Sequence, residues 1–138
     1  MSDTVVPRFS VEPVAGCDPA VGRWLAILDD ARKRTRYTLS TIQPDDLDAA
    51  PVAGRNTIGT LLYHIALVDL NWVYDNMLQQ PYPAEVAALF PYPLRDAQDN
   101  LTPVTGWDLA AYQRILEAAR QQIIEVFKAM SAAEFYAV

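Results

Sequence analysis

The sequence predicts an all-α domain: an up-down helical bundle of three long helices, with a long crossover between the second and the third. Three stretches repeat apolar residues at steps of three and four, which is the period of a helix with one buried face. No stretch of useful length alternates apolar and polar residues as a strand would. Proline and glycine gather between the periodic stretches and punctuate them. With 138 residues, 51% of them apolar, the chain can bury one substantial core but is short for two domains. Residues 1–17 are expected to be an extended N-terminal arm, and residues 18–138 a single bundle domain.

The arm holds Pro7, Pro13 and Gly16 without a helical period. Asp18 then offers a side-chain cap and Pro19 suits a first helical position. From there Val21, Trp24, Leu25, Leu28, Thr35, Leu39 and Ile42 mark one face, so the first helix is placed at about 19–42. Arg32, Lys33, Arg34 and Arg36 crowd its last turns. Positive charge there complements the helix dipole; the alternative reading is a site for an anion or an acidic partner. The segment PDDLDAAPVAGR that follows reads as a connector with one helical turn.

The second helix, Asn56–Gln80, is the longest apolar helical pattern and holds the only histidine. Leu62, Ala66, Leu70, Val73 and Met77 share one arc, with Tyr63, Leu67 and Tyr74 at its edge. Beside it runs a polar stripe of Thr57, Thr60, His64, Asn71 and Asp75. Asp69, Asn76 and Gln80 lie further round and are expected to face solvent. The helix must stop before Pro81.

Residues 81–106 carry Pro-Tyr-Pro twice, at Pro81–Pro83 and Pro91–Pro93. Twenty-six residues is long for a link inside a compact domain, and such links are often functional. Tyr82 and Tyr92 are read either as packing on the bundle or as an aromatic wall over a pocket. The third helix is expected to open at Thr105, with Asp108 completing an imperfect capping box. Its seam is Leu109, Tyr112, Leu116, Ala119, Ile123, Val126 and Met130, widened by Ile115, Ile124 and Phe127, so it needs at least two partners. Gln113, Arg114, Glu117, Arg120, Gln121, Glu125 and Lys128 form the face expected to be solvated. Ser131 and Glu134 then stand in capping-box spacing. Three wide apolar faces do not close a four-sided core, so a fourth helix is expected either from another chain or from a longer version of this one.

Composition excludes several function classes. The net charge of −6 falls unevenly: residues 1–36 carry six basic and five acidic groups, and residues 37–138 five and twelve. Nucleic acid is therefore not an expected partner. No run approaches eighteen apolar residues, and the opening MSDTVVPRFSVEPVAG lacks the pattern of a secretory leader, so neither membrane insertion nor export is expected. The single Cys17 has no partner for an internal disulfide and fits a reducing cytoplasm. No glycine-rich phosphate loop or Cys/His cluster is present.

The order of elements, together with IQPDDLDAAP and NTIGTLLYHIALVDLNWVY, resembles the DinB/YfiT-like superfamily of helical bundles. That resemblance implies a four-helix bundle in which the second-helix histidine and an H-x-x-x-H pair on the last helix bind a divalent metal, Zn or Ni. It also implies, for some relatives, thiol-dependent transfer or isomerisation. His64 matches the first ligand position, and the other two have no counterpart because His64 is the only histidine. Asn71 and Asp75 lie roughly 10 and 16 Å along the helix from it, too far to share one ion. The reading is a small-molecule-binding or degenerate member without an intact three-histidine site, its pocket drawn from His64, Asn71, Tyr82, Tyr92 and Trp107. A homodimer is expected to cover the open side. The alternatives are a metal-dependent thiol transferase or hydrolase completed by a later helix or a partner chain, and a structural module that binds another protein's helix.

Overall fold

The computed structural model describes residues 10–137, and its secondary structure is helical throughout apart from one isolated bridge, between Arg95 and Leu101. Residues 1–9 of the expected arm, and Val138, lie outside the described residues. Helix α1 spans Pro19–Leu39 and begins as the sequence requires, with the Asp18 carboxylate accepting from the Ala20 amide. It stops three residues short of the expected Ile42. The Ser40 and Thr41 hydroxyls donate to the carbonyls of Tyr37 and Thr38, which a continuing helix would leave to its own amides.

Helix α2 spans Ile58–Asn71, capped by the Thr57 hydroxyl. It does not run on as a regular helix to Gln80. Over Trp72–Leu78 the chain widens into a π-helical segment, which closes at Gln79 in a left-handed conformation (φ 52°). The crossover contains the short α3, Ala84–Ala87. Helix α4, Leu109–Lys128, begins later than expected, because Asp108 and not Thr105 is the cap: its carboxylate accepts from the Ala111 amide at 2.7 Å. Ser131 and Glu134 form the capping box of α5, Ala132–Tyr136.

The core sits where α4 packs along α2, with α1 laid against α4 and α5. Leu62, Ala66, Leu70 and Val73 of α2 and its continuation are buried against Tyr112, Ile115, Leu116, Ala119 and Ile123 of α4. Met77, assigned to the core arc, is only partly buried, since the π segment turns it away from the 100° spacing. Helix α5 fixes the far end: Phe135 packs edge-on to Trp24 and Phe127, and the Ala132 amide donates to Asp18. On their exposed side, α2 and the π segment carry Leu61, Ile65 and Trp72 at 42%, 42% and 63% exposure. No described helix is long and apolar enough to cross a membrane.

Candidate functional site

Three clips hold the crossover against α2 and α4. The Thr60 hydroxyl, on the polar stripe expected beside the core arc, is buried and accepts from the Val104 amide at 3.1 Å. Tyr112 donates to the Val104 carbonyl. Tyr63, 2% exposed, donates to the Tyr92 carbonyl at 2.7 Å and accepts from the Tyr92 amide at 2.9 Å, so it satisfies both backbone groups of the tyrosine in the second Pro-Tyr-Pro. Tyr63 also meets Phe90, Tyr92 and Trp107 at ring separations of 5.6, 6.0 and 5.7 Å.

Under this clamp lies a cavity of about 250 Å³ lined by Leu67, Asn71, Tyr82, Ala87, Phe90, Tyr92, Pro93 and Leu94. The Tyr82 hydroxyl donates to the Asn71 side-chain carbonyl. Burial pushes the Tyr82 phenol up to about 12, so it stays a neutral donor. Asn71 stands where the α-helix gives way to the π segment, and its own backbone carbonyl accepts from the Asn76 side chain five residues on. Three of the expected pocket residues, Asn71, Tyr82 and Tyr92, thus meet in one cavity.

The other two do not. Trp107 stacks on Tyr112 and faces a separate groove of about 430 Å³ along the start of α4, with Leu89, Pro91 and Arg114. His64 is not in the cavity wall. Its Nδ1 is buried without a hydrogen-bond partner among the described residues, and burial, then the Arg95 cation, hold its imidazole below the usual value. Asp75, the last member of the polar stripe, is exposed.

Two further corrections concern charge. Asp69, expected in solvent, is 22% exposed and accepts from Arg32 at 2.9 Å and from Arg120 at 3.3 Å. Arg32 and Arg120, read as a helix-end cation and a solvated residue, are 4% and 8% exposed. Burial pushes the Asp69 carboxyl up and the Arg32 guanidinium down, against the attraction between them. Of the rest of the basic run, Lys33 and Arg34 pair with Asp29 and Asp30 on their own helix, and Arg36 reaches Glu117.

A family model of the DinB superfamily matches residues 27–137, from the third turn of α1 through α5. The chain belongs to the DinB superfamily. A search of curated proteins finds no significant match. The metal that the superfamily resemblance implies does not fit the residues present around His64. Among the described residues no three His, Cys, Asp or Glu side chains stand together as ligands, and the charge acting on His64 is a cation.

His64 gives this DinB-superfamily chain a pH signature. Its folded value lies below the unfolded one of about 6.5, so the unfolded chain binds the extra proton. Its contribution is therefore present above about pH 6.5 and lost on acidification through the folded value. Urea denaturation at a series of pH values is expected to show stability falling below about pH 6.5, with a shallower fall in His64→Gln. The same slope in both proteins would exclude His64 as its source.

Proposed function

We propose that this DinB-superfamily protein binds a compact, largely apolar small molecule in the cavity between α2 and the crossover. The observation that supports this reading is the convergence of Asn71, Tyr82 and Tyr92 on a space otherwise walled by Leu67, Phe90, Pro93 and Leu94. Few polar groups set in an apolar wall is the make-up of small-molecule sites. The Asn71 amide and the Tyr82 hydroxyl offer one donor–acceptor pair, which would fix a ligand carrying a single hydroxyl or carbonyl. At about 250 Å³ the cavity suits a single ring or a short branched chain.

Titration with phenol, benzyl alcohol and cyclohexanone, followed by thermal shift and calorimetry, tests the reading. At least one is expected to bind saturably, with affinity falling roughly tenfold in Asn71→Leu and in Tyr82→Phe, about one hydrogen bond's worth each. Failure of the whole series to bind, or unchanged affinity in both variants, would overturn it.

A further inference from the structure

A third concavity, a cleft of about 280 Å³, lies between the last turns of α1 and the first half of α4, lined by Arg32, Arg36, Gln113, Leu116 and Glu117. It shares no lining residue with the cavity under the crossover. Arg32 stands in its wall, and Arg120 follows one helical turn after Leu116 and Glu117. Both arginines donate to the same Asp69 oxygen, yet Nη1 of Arg32 and both Nη1 and Nε of Arg120 are buried without any partner among the described residues. Three orphaned nitrogens on guanidinium groups 4% and 8% exposed are a large unmet demand. Water can fill hydrogen bonds there but not charge. Among the described residues Arg32, Arg36 and Arg120 pair only with Asp69 and Glu117, which leaves one positive charge uncompensated.

We propose that this cleft binds a small aliphatic monocarboxylate, whose oxygens take the free Nη1 of Arg32 and the guanidinium of Arg36 and whose carbon stem lies on Leu116. The guanidinium fork matches a carboxylate in plane and spacing. A single negative charge balances the cluster, whereas a dianion such as phosphate would meet Glu117 at the mouth. Glu117 already plays the competitor: its carboxylate accepts from Arg36 at 3.3 Å across the entrance. An incoming carboxylate would share or displace that contact. The basic run of α1 is thereby divided by role. Lys33 and Arg34 are held by carboxylates of their own helix, while Arg32 and Arg36 serve the cleft.

Calorimetric titration with sodium propionate, and separately with inorganic phosphate, against sodium chloride at matched ionic strength tests the site. Saturable one-to-one binding of propionate is expected. Arg36 and Glu117 have exposed side chains, so their variants should fold. Arg36→Gln is expected to weaken propionate binding on the order of fivefold, and Glu117→Gln to tighten it by a similar factor. A propionate response no greater than chloride, tighter binding of phosphate than propionate, or charge variants that fail to move in opposite directions would overturn the proposal.

Discussion

Asp69→Ala is expected to cost about 3–5 kcal/mol of stability, the usual result of stripping one partner from a buried ion pair. Asp69 is the one carboxylate among the described residues bonded to two buried guanidinium groups, at 2.9 Å to Arg32 and 3.3 Å to Arg120. These side chains come from α1, α2 and α4, so the carboxylate ties three helices at one point. Without it, two like charges face each other with five partnerless nitrogens in place of three. Arginine does not escape by losing its proton. Asp69→Asn keeps a hydrogen-bond acceptor and should cost less. A triple variant that combines Asp69→Leu with Arg32→Met and Arg120→Met should recover most of the loss, because the desolvation cost disappears with the charges. Urea denaturation of these three proteins measures the order. A loss under about 1 kcal/mol for Asp69→Ala would mean that water reaches the arginines freely.

The same cluster shows where sequence reading stops. Asp69 is expected far round α2 in solvent, yet a 100° spacing sets it at the rim of the arc made by Leu62 and Val73, where an acidic residue reads equally well as solvated or paired. What decides it is the approach of Arg32 and Arg120, 37 and 51 residues away in the chain. The core faces of α2 and α4 were legible because burial there follows helix period alone. Legible too were the caps at Asp18 and Ser131, which depend on neighbours two or three residues off. The π segment was not, since Trp72–Leu78 has the composition of ordinary helix and its widened turn follows from packing. Of the cavity, Asn71, Tyr82 and Tyr92 were picked out by a polar position on a core helix and by a repeated Pro-Tyr-Pro. Tyr63, which fastens the crossover over them, looked like any core-edge tyrosine, because its role rests on the backbone of a residue 29 positions away.

Gly59→Ala is expected to destabilise the fold by about 2–3 kcal/mol, although alanine favours a helix over glycine. Gly59 lies in the first turn of α2, and a methyl group there would fall 2.2 Å from the Tyr112 hydroxyl oxygen and 2.7 Å from its ring carbon. On its other side the Leu47 carbonyl, 3.2 Å from that methyl, accepts from the Gly59 amide and keeps the helix end from backing away. Tyr112 has no room to yield. It is fully buried, stacks on Trp107, and donates to the Val104 carbonyl, whose residue is itself held by Thr60. Relief therefore requires opening the seam between α2, α4 and the end of the crossover. Tyr112→Phe supplies the control. Alone it strips the buried Val104 carbonyl of its donor, at about 1 kcal/mol. In Gly59→Ala it also removes the closest clash, leaving the contacts to the ring carbon and to the Leu47 carbonyl. The double variant should accordingly be more stable than the two single losses summed, by roughly 1 kcal/mol or more in a thermodynamic cycle. Additive losses would mean that Gly59 and Tyr112 do not touch, and that helix α2 meets the crossover in some other register.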